Sequence, residues 1–371
     1  MFGRATHSRR WFLASLTAAS GVASEIRGKG KVFPSALKRY ADGATEFPVT
    51  RLTDPAHSSL LPPVYARAVS RRGSFLLCAS DITGRWEAFR IDLKSGQLRQ
   101  LTEAGDLDPS SLTLLADDRG FCYFDGAQLM SAGFSTLRAR VVYEIADGFE
   151  RGHGLNVAED GQYAAIVTHK GAQHRLQLVH MTAGEATTLA ECAEEIRDPI
   201  PRPRRAAVLY RRGSGGVWLV NYDGKQNYRL RVAEGETGPA MWSPEGRDVL
   251  YLNFPADAHK LHNLREFTPD SNEDHSVADT SQFVQFDRNA DASVFVGASG
   301  SKASPHVLLL VRTVKRELTL AEHRSSDLAI VSPIFAPNSQ RIFFGSDLHG
   351  KPAIYTMSVE RFVEETDGGR A

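Results

Sequence analysis

Seven apolar segments, each entered through a tight polar turn and recurring about every 45 residues, predict an all-β chain: a seven-bladed β-propeller closed by an N-terminal strand. Arg71-Arg72-Gly73 precedes Ser74-Phe75-Leu76-Leu77, and Asp118-Arg119-Gly120 precedes Phe121-Cys122-Tyr123-Phe124. Asp160-Gly161 precedes Tyr163-Ala164-Ala165-Ile166-Val167, and Arg204-Arg205 precedes Ala206-Ala207-Val208-Leu209-Tyr210. Pro244-Glu245-Gly246, Asn289-Ala290-Asp291 and Pro337-Asn338-Ser339 introduce runs starting at Val249, Val294 and Ile342. With turns at 73, 120, 161, 205, 246, 291 and 340, the gaps are 47, 41, 44, 41, 45 and 49 residues. The runs are short, apolar and separated by Gly, Asp and Pro, so a helical reading fails.

Several units continue into a second hairpin. Asp92-Leu93-Lys94-Ser95-Gly96 and Asn221-Tyr222-Asp223-Gly224 have the composition of its turns, where glycine accepts positive φ. Pro48-Val49-Thr50-Arg51-Leu52-Thr53 resembles the closing strand of a unit that lacks its beginning. It is expected to pair with residues 342–358 and close the ring, removing exposed sheet edges. The polar insertion at 260–275 reads as a loop over one face, either a lid or a plain long hairpin.

The expected organisation is a signal peptide over residues 1–24, a linker over 25–36 and the propeller over 37–371 with a short C-terminal tail. Ser8-Arg9-Arg10-Trp11-Phe12-Leu13 has the form of a twin-arginine export motif, followed by a mildly apolar run over 13–23. Val22-Ala23-Ser24 places small residues where a signal peptidase cuts, so the mature chain is expected to start near Glu25 in the periplasm or outside the cell. No later stretch is apolar enough for a membrane span. The 44 basic residues balance 44 acidic ones, which argues against a dominant nucleic-acid surface. Cys78, Cys122 and Cys192 lack metal-like spacing and read as structural thiols.

The chain resembles the oligogalacturonate lyase family from about residue 37 to residue 358. The resemblance is carried by Tyr40-Ala41-Asp42, Val49-Thr50-Arg51-Leu52-Thr53 and Pro199-Ile200-Pro201-Arg202-Pro203. Two further pieces are Trp218-Leu219-Val220-Asn221-Tyr222-Asp223-Gly224 and Ser346-Asp347-Leu348-His349-Gly350-Lys351-Pro352-Ala353-Ile354-Tyr355. It implies a seven-bladed propeller whose mouth holds a divalent metal, usually manganese, against the carboxylate of an acidic pectic oligosaccharide. A basic side chain then removes the C5 proton and elimination breaks the glycosidic bond. The family's histidines are replaced here. Its His-Pro-His-Pro-x-Phe motif corresponds to Ile330-Val331-Ser332-Pro333-Ile334-Phe335, its sixth-blade His to Gln285 and its fifth-blade His to Pro239. The basic residue before the fourth-blade Trp corresponds to Gly216.

Polar residues shortly before each repeat's apolar strand are the candidates for the mouth: His57, Asp106, Asp108, Glu150, His153, Asp198, Arg202, Glu236, Gln285 and Asp327. His153, Asp198 and Gln285 form a candidate relocated metal set, His153 and Arg202 candidate catalytic groups, and Arg202 with Asp198 a candidate substrate site. The same residue types also fit a solvated ring of loop groups, and Arg202 fits a brace to a neighbouring loop carboxylate. His169, His174 and His180 are expected to point to different faces. The functional alternatives are a lyase with a rebuilt site, a silent relative that binds an acidic sugar, and a Tol-like scaffold with a protein partner.

Overall fold

The computed structural model describes residues 28–257 and 259–367, so the expected signal peptide lies outside the described residues. The architecture is an all-β propeller. Among the described residues, helix is confined to Glu360–Asp367 and two 3-10 turns. The strands form six hydrogen-bonded sheets of five, four, eight, five, four and four strands around a common channel.

Each apolar run is the second strand of its sheet rather than the first. Phe75–Ser80, for example, lies between Ser59–Leu60 on the channel side and Glu87–Asp92 outside it. The innermost strands are Ser59–Leu60, Thr113–Leu114, Glu150–Val157, Ile196–Pro201, Glu236–Trp242, Phe283–Arg288 and Ile334–Phe335. Second strands are buried on both faces because neighbouring sheets pack on either side. All six residues of Phe75–Ser80 are buried, which explains why these runs dominate the sequence pattern. The apolar clusters bridge sheets: one includes Leu219, Trp242, Phe267, Phe286 and Phe295, another Val296, Leu309, Phe344 and Tyr355. Each fully buried Leu or Phe contributes roughly 1.5–3 kcal/mol, so contacts between sheets hold the ring.

Pro48–Arg51 lies antiparallel to Ala353–Ser358, with Thr50 opposite Thr356 and Arg51 opposite Tyr355, and Lys38–Ala41 adds a further strand. Within the stretch expected as a linker, Val32–Phe33 pairs with Leu98 and Arg99. The insertion at 260–275 is not a lid. It supplies His262–Thr268 and the start of Glu273–Thr280, paired strands of one sheet. The tail forms the helix Glu360–Asp367, whose Phe362 packs on Phe47.

The eight-stranded sheet joins two units through a single parallel bridge, His153 to Arg197. Gly154 makes that contact possible. Its φ is 133°, and a Cβ there would sit 2.2 Å from Cδ of Pro199. Only glycine allows the two inner strands to approach this closely.

Asp287 ties two sheets together inside the channel. Its carboxylate accepts the backbone N–H of Phe335 across the sheet boundary and that of Arg288, both at 2.8 Å. Burial pushes its pKa up to about 6, only partly offset by these hydrogen bonds and by the Arg288 charge. The folded state therefore holds this proton more tightly than the unfolded chain. The stabilisation is complete below the ordinary aspartate range and is lost as pH rises toward 6. Unfolding free energy is expected to fall by about 3 kcal/mol across that window through this group alone. Denaturant titrations from pH 4 to 6 should show a shallower pH dependence for Asp287→Asn; identical slopes would contradict the assignment.

Candidate functional site

The inner strands run along the channel, so their first and last residues lie at opposite ends. At the starting end, four of them carry a register irregularity at the same level: between Arg151 and Leu155, Arg197 and Ile200, Thr237 and Ala240, and Phe283 and Gln285. Such bulges turn side chains away from the ladder and form the mouth. Pro199 and Pro239 fall inside two of them, where a missing N–H costs no ladder bond.

Residues 62–65 plug the channel beneath the mouth. The carbonyl of Pro62 accepts from the hydroxyl of Ser332 at 2.7 Å, and that of Tyr65 accepts from Nδ2 of Asn156 at 2.9 Å. The Tyr65 hydroxyl is buried near Asp198. Burial, then the charges of Asp198 and Asp108, hold its pKa well above the ordinary phenol value, so it stays protonated as a donor. Below the plug the channel has a volume of about 500 Å³, lined by Trp242, Asp287, Arg288 and Phe335, and it opens at the opposite end.

The candidates are distributed unequally. His153 is exposed at the mouth, beside Arg197 through the backbone bridge. Asp198 is also there, in the left-handed region at φ 52°, and accepts from Nη1 of Arg211 at 3.3 Å. Asp106 and Asp108 both face Arg151, at 3.1 and 3.9 Å, and Asp108 and Asp327 cap the two 3-10 turns. His57 stands 3.9 Å from Asp81, and Glu150 and Glu236 are exposed at the starts of their strands.

Arg202 is not at the mouth. It follows the last residue of its inner strand, at the opposite end, with a side chain only 5% exposed. Its Nε donates to the carbonyl of Gly246 at 2.7 Å, its Nη2 to that of Arg247 at 3.4 Å, and its Nη1 reaches Asp270 at 3.5 Å. The guanidinium also lies 4.8 Å from the centroid of the Trp242 ring. It is a brace between neighbouring units, and the carboxylate-binding and catalytic roles expected for it have no geometric support.

Two other arginines occupy the place in the mouth that sequence reasoning gave to Arg202. Arg197 and Arg211 stand directly opposite each other on paired strands. Arg211 is largely buried; besides its contact to Asp198, its Nη2 donates to the carbonyl of Thr237 at 2.8 Å. Burial lowers its pKa, and the nearby Arg197 charge acts in the same direction against Asp198. In both side chains Nε is buried without a hydrogen-bond partner among the described residues. A buried N–H without an acceptor costs about 1–3 kcal/mol, so an acceptor able to reach either group would be stabilised there. The tight turn at Gly213 is a visible signal that Arg211 lies near a strand end, but nothing in the spacing pairs it with Arg197.

The residues at the positions of the expected metal ligands do not fit manganese. The side-chain carbonyl of Gln285 accepts the N–H of Ser332 at 2.9 Å, and the Ser332 hydroxyl is committed to Pro62. Ile330 and Pro239 carry no donor atom. His153 and Asp198 lie two sheets away from Gln285, and no three His, Cys, Asp or Glu side chains converge among the described residues. A hard divalent cation needs several oxygen or imidazole donors together, which this set does not supply.

Comparison with known proteins places these observations in context. A family model described as oligogalacturonate lyase matches residues 27–170. The oligogalacturonide lyase of Pectobacterium atrosepticum is 25% identical over 89% of this chain and 98% of its own length. The oligogalacturonate lyase of Dickeya dadantii gives the same identity and coverage. Among solved structures, an oligogalacturonate lyase in complex with manganese superposes with a TM-score of 0.86 at 24% identity, covering 91% of this chain and 100% of the other. The oligogalacturonate lyase of Vibrio parahaemolyticus gives 0.83 at 23%, covering 90% and 99%. The two superpositions speak for the fold.

Proposed function

The chain belongs to the oligogalacturonate lyase family, and we propose that it binds short pectic uronides through their carboxylates at the mouth, without the manganese centre the family implies. The observation that carries this reading is the pair Arg197 and Arg211, opposed across one ladder and each with an unpartnered Nε–H. Every galacturonate unit presents a carboxylate, and a guanidinium fork matches its two oxygens. Neutralising that carboxylate also acidifies the adjacent C5 proton, as any preorganised positive charge there would. His153, beside Arg197, is the imidazole placed to take a proton if elimination occurs.

The purified chain is expected to bind trigalacturonate yet release unsaturated product slowly, with little change between added manganese and chelator. Ultraviolet absorbance of the product checks this. Strong manganese-dependent product formation would overturn the reading.

A count of seven blades is supported by taking the eight-stranded sheet as two units joined at one bridge, with residues 48–51 as the N-terminal closing strand. A crystal structure viewed down the channel tests that count. Export by the twin-arginine route, to where pectic fragments occur, rests on Arg9-Arg10 and the residues that follow; fractionation of an Arg9→Lys, Arg10→Lys variant tests it. A protein-scaffold role draws no support from exposed apolar residues. Val32, Val141, Leu261 and Val314 lie on or beside four different sheets, a scatter normal for any surface.

A further inference from the structure

We propose that His169 and His174 form a chelating pair for a borderline divalent cation (zinc, nickel or copper) on the rim of the face that carries the mouth. The strands Tyr163–Lys170 and Gln173–His180 form one hairpin, and its register sets the two histidines directly opposite each other. Directly opposed residues share a face of the sheet, so the expectation that these imidazoles diverge is corrected. Their ring centroids are 5.6 Å apart with an interplanar angle of 33°. Both side chains are partly exposed, and neither imidazole makes a hydrogen bond among the described residues. The two imidazoles face each other with no hydrogen bond on either ring among the described residues.

The surroundings suit a cation. Glu150 stands opposite His169 on the channel side, so the row crosses from the edge of the mouth outward. Cys192 stands opposite His174 on the outer side, with its thiol directed to the carbonyl of Glu194. Among the described residues no third His, Cys, Asp or Glu completes the set, so the remaining coordination positions belong to water or to an incoming ligand. Two imidazoles select copper, nickel and zinc over manganese, following the general affinity order. This separates the site chemically from the family's metal, and it sits on a different sheet from Gln285. A cation held there adds positive charge to the face bearing Arg197 and Arg211, which favours the approach of a polyanionic sugar.

The test is calorimetric titration of the untagged full chain with zinc, nickel and manganese chlorides, alongside His169→Gln, His174→Gln and His153→Gln. Zinc and nickel should bind at one site and manganese should not. Either hairpin substitution should weaken binding at least ~10-fold, since each removes half of the protein ligands. His153→Gln should leave it unchanged. Copper(II) bound to the wild-type chain should show coupling to two imidazole nitrogens by electron paramagnetic resonance, a readout independent of sugar binding or cleavage. Absence of binding to the wild type, or wild-type affinity in either hairpin variant, would overturn the proposal.

Discussion

Replacing Arg202 with alanine is expected to lower the unfolding free energy by about 3 kcal/mol while leaving uronide affinity unchanged. The side chain is 5% exposed and donates to two backbone carbonyls of the next unit, Gly246 and Arg247. Its removal leaves those acceptors without a donor and strips a cation from the face of Trp242, whose own Nε1 donates to the carbonyl of Ile200 at 3.1 Å. One brace therefore holds two units from both directions. Lysine is not expected to rescue it, because a single ammonium cannot reach the positions served by a planar fork. Chemical denaturation combined with sugar titration separates the possibilities. Intact stability with lost binding would return Arg202 to the substrate site.

The second large effect concerns recognition. Arg197→Ala combined with Arg211→Lys is expected to weaken trigalacturonate binding at least ~100-fold, because one charge-assisted group is lost and the planar fork of the other is removed. Arg197 is partly exposed, so its truncation should not disturb the fold. Lysine at 211 keeps a cation beside Asp198 while removing the fork. A methyl-esterified fragment provides the other side of the cycle. Esterification and the arginine changes should each cost affinity, and the second of them should add little once the first is made. Equal binding of free and esterified fragments would show that the mouth does not read carboxylates.

The parts of the fold that were legible in the sequence are those whose burial leaves an uninterrupted apolar signal. Phe121–Phe124 and Val249–Leu252 are such runs, each announced by a glycine turn. The innermost strands were not legible. Glu150–Val157 and Ile196–Pro201 mix charged residues, glycine and proline, and their bulges break the two-residue alternation on which strand recognition depends. With the apolar run reading as the first strand, everything just before it reads as mouth, whereas the inner strand carries Asp198 to one end and Arg202 to the other. The replacement of the metal-binding histidines was fully visible. What took their place was not, because the opposition of Arg197 and Arg211 depends on a register shift of one residue within a ladder.

The plug at 62–65 has a kinetic consequence. With the axis obstructed by Tyr65 and by the Pro62–Ser332 hydrogen bond, the mouth is a blind well with a single door. A long pectin strand cannot be threaded through and read along its length; it can offer only a terminus, and a short fragment only what fits above the tyrosine. Whatever is held there must leave by the way it came before the next molecule enters. Occupancy by short fragments should therefore block longer ones competitively, with residence time at the arginines, rather than sliding along a polymer, setting the turnover of visitors.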